Sequence, residues 1–158
     1  CSYNRIIRFC FLTCNYRIYC KKKINPMFLN CTAHELTQDQ IKLAREYADK
    51  ILDLKADNTD LHTKLVNCPP DVLVIQDLVR ELLFYLQTKY DESQTRLTVH
   101  LPIGSPAFMA VFFMKLDRRT LPFRIVFSHS DRVSVDERQA DGSIVKRAVF
   151  KFVKFIEI

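Results

Sequence analysis

From Met27 onward, short apolar runs alternate with longer stretches whose apolar residues recur every three or four positions. "MFLN", Met27–Asn30, predicts a strand, and Cys31–Leu36 a loop. Thr37 with Gln40 three positions later has capping-box spacing, and Ile41, Leu43, Ala44, Tyr47 and Ala48 give the following helix a buried side. Ile51–Leu54 predicts a second strand. Residues 55–70 are polar, contain "NTD" and end in "NCPP", which excludes a helix running through them.

The next stretch, "DVLVIQDLVRELLFYLQTKY", is helical in period, with Val72, Ile75, Leu78, Val79, Leu82, Leu83 and Leu86 on one broad stripe. "RLTVHLP" predicts a third strand, "SPAFMAVFFMKL" a helix and "LPFRIVFSHS" a fourth strand, with Asp131–Gln139 continuing as an extended segment. "ADGS" is a turn signal in which Gly142 supplies the permissive backbone, and "IVKRAVFKFVKFIEI" is a last β-prone strand. The alternation predicts an α/β domain over 27–158, with a mostly parallel sheet flanked by helices and a C-terminal β-hairpin. In such sheets ligands sit beyond the carboxyl ends of the strands, beside helix N-termini. That rule selects three loops: Cys31–Leu36, Pro102–Pro106 and Ser128–Arg132.

Charge and cysteine content change this picture only at the N-terminus. The formal charge is +6, yet residues 1–26 hold six of the 24 basic residues and no acid, leaving 18 basic against 18 acidic from Met27 on. Bulk charge therefore does not argue for a polyanion partner, and any basic function rests on local clustering. Cys1, Cys10, Cys14 and Cys20 also lie in that leader. It reads as upstream sequence with a start at Met27; a small cysteine-rich binding extension is the alternative. Cys31 and Cys68 alone in the remainder suggest a reducing, cytoplasmic setting. No apolar run approaches membrane-spanning length.

Candidate chemistry gathers at the three loops. Ser105 is a natural N-cap, Pro106 suits the first helical position, and Gly104 removes a side chain beside them, so an anion is favoured there. On that motif alone, a strand-to-helix turn that binds nothing is the plainer reading. "NCTAHELT" adds Asn30, Thr32 and His34; "SHSDR" adds Ser128, His129, Ser130 and Arg132. Hydroxyls, imidazoles and a guanidinium at three strand exits suit phosphates and ribose hydroxyls. Singly, each has a duller account. His34 is as readily an ordinary loop residue, Arg132 a surface charge, His100 a satisfied core histidine and His62 a solvated one. Asp131 and Asp136 are as easily turn residues as catalytic carboxylates. The phenylalanines at 108, 112, 113, 150, 152 and 155 read as core, and the basic run "KRAVFKFVK" as a solvated edge or the rim of an anionic site. The histidines and cysteines lack zinc-ligand spacing, and no cofactor is expected.

With these residues in place, the chain from Met27 to Ile158 resembles the small CRISPR-associated Csx proteins with a CARF-like, Rossmann-type domain, several of them ring nucleases. "FLNCTAHELTQDQ" is similar to that family's strand, loop histidine and "LT-x-x-Q". "RIVFSHSDRVSVDERQADGSIVKRAVFKFVKF" is similar to its strand, hydroxyl-rich turn with arginine, acidic extended segment, Asp-Gly turn and phenylalanine-rich last strand. The chain departs from the pattern in three places: "PIGSP" has one glycine where a pair is common, His129 and Ser130 stand where two threonines precede the arginine, and Phe152 stands where a histidine is often found.

The resemblance implies cyclic oligoadenylate as ligand, most often the four-adenylate ring, a homodimer, and no double-stranded DNA or membrane partner. It implies metal-independent cleavage, in which a ribose 2′-hydroxyl attacks the neighbouring phosphorus. Arg132, Ser105 and the Gly104–Ser105 backbone would contact phosphate. Thr32, Ser128 and Ser130 would hold ribose or phosphate oxygens, with Asn30 and Phe108 also against the ligand. His34 or His129 would assist proton transfer. A receptor that holds the ring without cutting it, and an unrelated α/β nucleotide-binding or assembly protein, are the alternatives.

Overall fold

The structure, a computed structural model, describes residues 26–93, 96–101, 103–116, 123–139 and 142–158. The leader therefore lies outside the described residues, except Pro26. The elements in chain order are β1 (Met27–Asn30), α1 (Gln38–Tyr47), β2 (Lys50–Asp53), α2 (Leu54–Asp57), α3 (Thr59–Val66), α4 (Val72–Ser93), β3 (Leu97–His100), α5 (Pro106–Lys115), β4 (Phe123–Arg138) and β5 (Ile144–Glu157). They build one α/β sheet of order β2-β1-β3-β4-β5, in which the first four strands are mutually parallel and β5 runs antiparallel to β4.

β1 and β3 are short and buried along their whole length, as inner strands covered on both faces must be. Their alternate residues face two layers. Met27, Leu29, Leu97 and Val99 pack against the main core formed with α3, α4 and α5. Phe28 turns the other way, against Ala44 and Ala48 of α1 and Phe155 of β5. α1 thus covers one face and the remaining helices the other. Since α1 leaves β1 toward β2 while α5 leaves β3 toward β4 on the opposite layer, the connections diverge between β1 and β3. A crevice beyond those carboxyl ends follows from that divergence.

Local chemistry explains the boundaries. The expected capping box is present: Thr37 Oγ1 accepts from Gln40 N, and Gln40 Oε1 accepts from Thr37 N at 2.8 Å. Ser105 caps α5 with Pro106 in the first turn. Asp71 accepts from Leu73 N and Val74 N at the start of α4, a helix roughly 33 Å long. Val72, placed on that helix's buried stripe by its spacing, is exposed.

One expectation is refined and one corrected. No single helix runs through 55–70, as expected, but two short ones, α2 and α3, fill Leu54–Asp57 and Thr59–Val66, started by Asp53 accepting from Lys55 N and Asn58 accepting from Leu61 N. Their buried residues Leu54, Leu61 and Leu65 are too sparse among polar neighbours to raise a helical signal. Ser128–Arg132 is also no loop: β4 runs through it without a break, and with β5 forms a long ribbon beyond the parallel sheet. A bulge between His129 and Ser130, where Val153 is the extra residue on β5, marks where the ribbon leaves the body. At its far end Gly142 has φ 84°, a backbone that suits glycine, as its turn signal implied.

Candidate functional site

Three neighbouring strands end on polar residues in register: Asp53 pairs with Asn30, and Asn30 with His100. All three lie at the carboxyl edge, where the chain reverses into helices. Asn30 Nδ2 donates to Asp53 Oδ2 at 2.9 Å and to the His34 carbonyl at 2.8 Å. Asn30 Oδ1 lies 3.0 Å from His100 Nδ1 and also accepts from Thr32 N. His100 Nε2 is 2.7 Å from Ser128 Oγ, which accepts from Gln40 Nε2 at 3.0 Å. A continuous chain of side chains thus runs from the first turn of α1 across β4, β3 and β1 to β2.

Burial makes this chain rigid. Asn30 is fully buried and His100 is 2% exposed, whereas Ser128 and Gln40 are half-buried and form its outer end. His100 lies against Phe28 and Phe155, and this burial lowers its pKa to about 4, so the ring is neutral at pH 7. Burial, with a smaller contribution from Asp53, pushes the neighbouring Cys31 thiol far above its ordinary value, leaving it a packing group.

The loop after β1 is fastened to the same network. Thr32 Oγ1 donates to the His34 carbonyl at 2.7 Å and accepts from His34 N, closing a tight turn. His62 Nε2 lies 3.2 Å from the Thr32 carbonyl. His62 is therefore buried and bonded, not solvated: α3 carries it under the loop.

The expected site residues divide into three groups. Asn30, Thr32, Ser128 and the His34 backbone are joined by hydrogen bonds. Asn30 is sealed from solvent and Thr32 nearly so, and their hydrogen bonds hold the site's shape. The His34 side chain is exposed beside them. Ser130 and Arg132 lie outside that network but on its face of the sheet. Opposed residues share a face, so Ser128 with Phe155, Ser130 with Phe152 and Arg132 with Phe150 form one row, and Phe152 packs against the α1 cluster. His129 alternates to the other face, 3.5 Å from Asp131.

Gly104 and Ser105 approach the edge from the α5 side, Ser105 Oγ accepting from Phe108 N at 3.2 Å. Among the described residues, its two chain neighbours aside, a Cβ at Gly104 would meet no atom within 4 Å, so the space beside the N-terminus of α5 is open on that side. Phe108, expected against the ligand, is fully buried in the main core, where no ligand reaches it.

Sequence reasoning read His100 as a satisfied core histidine, and it is one, bonded at both ring nitrogens; the parts of Asp53, Gln40 and Phe150 were missed. A histidine in an apolar strand carries no mark of its partner; the available signal was that Asn30, Asp53 and His100 each close a strand. Phe150 was read as core because it lies in an apolar run, yet on the ribbon it is 74% exposed. A shallow groove near Phe113, Phe123 and Ile158 lies at the amino end of the parallel part of β4, away from this edge.

Fold and edge together define the class: an α/β domain with an open, mostly parallel sheet and a bonded polar edge at its strand exits. The chain belongs to the uncharacterized protein MJ1673 family, whose model matches residues 26–156. No curated protein and no solved structure matches it. Among the described residues, no helix is long and apolar enough to cross a membrane.

Proposed function

We propose that this protein is a CRISPR-associated ring nuclease with a CARF-like, Rossmann-like domain, which binds and linearises cyclic oligoadenylate, namely cyclic tetra-adenylate, to switch off type III CRISPR signalling. It works in the cytoplasm as a homodimer, the ring lying across the two-fold axis. The observation that carries this reading is the polar edge itself: Asn30, Asp53 and His100 close three adjacent strands across the point where the helical connections diverge, and hold Ser128 on the next strand.

The chemistry follows from what surrounds that edge. A ribose 2′-hydroxyl attacks the adjacent phosphorus in line and the 5′-oxygen leaves, giving a linear chain with a cyclic phosphate end; no metal is required. The protein holds the hydroxyl in line and stabilises charge on the phosphoryl oxygens. Arg132 and the open α5 N-terminus at Gly104–Ser105 supply the anion contacts. Ser130 holds a neighbouring oxygen, and of the two histidines the exposed imidazole of His34 is the proton carrier, since His129 lies on the other face of the sheet. A receptor that holds the ring intact is the second reading; the position of His129 on the face of the sheet away from Arg132 favours it.

Incubation of the protein with labelled cyclic tetra-adenylate in EDTA tests both. Linear product is expected, with Arg132→Ala slowing it at least tenfold while the melting temperature holds. A stoichiometric complex with no product supports the receptor, and no interaction overturns both readings.

A further inference from the structure

Every hydrogen bond in the chain from Gln40 to Asp53 has a fixed direction, because both ends are anchored by groups with one role. Thr37 N–H only donates, so Gln40 turns Oε1 to it and Nε2 to Ser128 Oγ. At the other end, the Asp53 carboxylate and the His34 carbonyl only accept, so Asn30 turns Nδ2 to them and Oδ1 to His100. Thr32 N–H bonding to the same Oδ1 agrees with that placement. His100 must therefore carry its proton on Nδ1, and the neutral ring presents a bare lone pair at Nε2. Among the described residues, the Ser128 hydroxyl proton is the one placed to fill it, at 2.7 Å.

Ser128 thus has its one proton committed inward and one lone pair occupied by Gln40 Nε2–H. What remains is a second lone pair on a half-buried oxygen at the outer end of the chain. Such an oxygen repels a phosphate, which offers acceptors only. To donate to phosphate, Ser128 would strand His100 Nε2 as a buried, unsatisfied acceptor.

Resting on the ring-binding reading above, we infer that Ser128 is a specificity-determining contact that accepts from a neutral donor, the ribose 2′-hydroxyl, and does not bind phosphate. Gln40, His100, Asn30 and Asp53 are positioning residues that keep it an acceptor. A ring lacking 2′-hydroxyls loses this bond, so the edge separates RNA-type from DNA-type rings through one serine oxygen. The exocyclic amine of adenine is the other neutral donor in the ligand, and it is distinguished by experiment.

Two measurements decide it. Long-range proton–nitrogen correlation of the His100 imidazole in the free protein at pH 7 is expected to show a protonated Nδ1 and a bare Nε2; the opposite tautomer overturns the relay whatever the protein binds. Equilibrium binding is then compared for cyclic tetra-adenylate, its all-2′-deoxy form and cyclic tetra-inosinate. The wild type is expected to prefer the ribose ring over the deoxy ring at least tenfold and to bind the inosine ring within about threefold of the adenine ring. Ser128→Ala is expected to bind ribose and deoxy rings within twofold of each other, with its fold checked by thermal melting. A tenfold preference that survives in Ser128→Ala, or a wild type that discriminates only against inosine, overturns the hydroxyl assignment. If no ring binds, the ring reading falls and takes the ribose assignment with it, while the tautomer still decides the relay's direction.

Discussion

His100 ties a protonation state to the architecture. Its pKa lies near 4 because burial disfavours the imidazolium, against 6.5 in the unfolded chain. A folded value below the unfolded one means that the unfolded chain binds the proton first. Stability contributed by the neutral ring is therefore fully present above pH 6.5 and lost as pH falls toward 4. Chemical denaturation at pH 7.5 and pH 5 is expected to show the wild type losing about 2 kcal/mol more than His100→Gln over that interval. Equal losses would mean that the ring is not held neutral. The sequence made Ser105–Pro106, Thr37–Gln40 and Gly142 legible because each motif is local: donor, acceptor and backbone lie within a few residues. It hid the partners of His100, read rightly as a satisfied core histidine, and the burial of His62, because Asn30 and Ser128 for one and Thr32 for the other lie 28 to 70 residues away.

Among the elements, the ribbon diverges furthest from what its pattern implied. "SHSDR" looked like a loop because polar residues interrupt an apolar strand, yet β4 crosses it intact since β5 pairs with it residue by residue on both sides of one bulge. The consequence is an aromatic and a guanidinium placed opposite each other, Phe150 and Arg132, with Phe150 bare to solvent. A stacked base on Phe150 beside a phosphate on Arg132 is the contact this pair suits. Because Phe150 is exposed, Phe150→Ala is expected to change stability by no more than about 0.5 kcal/mol. Ring affinity is expected to weaken roughly tenfold, in line with about 1–3 kcal/mol per stacked base. Titration of labelled cyclic tetra-adenylate reads this directly, and unchanged affinity removes the ribbon from the binding surface. α2 and α3 escaped notice for a different reason: helices this short are set by their caps Asp53 and Asn58 and by a few leucines, not by a sustained period.

For the whole molecule, the ribbon poses a problem that a single copy does not solve. Two strands alone are marginal in water, and beyond the bulge almost every residue of β4 and β5 is exposed. On the face opposite α1, Val133 and Val149 are paired, with Val135 and Val145 following on that face. Asp131 stands opposite Lys151 at one end of this stripe, and Glu137 lies 3.6 Å from Arg147 near the other. Arg147 stands opposite Val135 and Val145 opposite Glu137, so valines and balanced charges share that face, and two copies related by a two-fold axis bring valine to valine and acid to base. Edge-to-edge pairing of β5 is disfavoured, because Lys146, Arg147, Lys151 and Lys154 crowd that strand with like charge. Face-to-face packing of two ribbons is therefore the contact this face suits, and it leaves Phe150 and Arg132 of each copy uncovered. Sedimentation is expected to give the wild type twice the 18.6 kDa chain mass, and Val133→Asp combined with Val135→Asp the single mass. Far-UV circular dichroism is expected to stay unchanged, because neither valine contributes to the core clusters. A double variant that stays dimeric moves the interface off this face, and a monomeric wild type removes the two-fold axis on which the ring is proposed to lie.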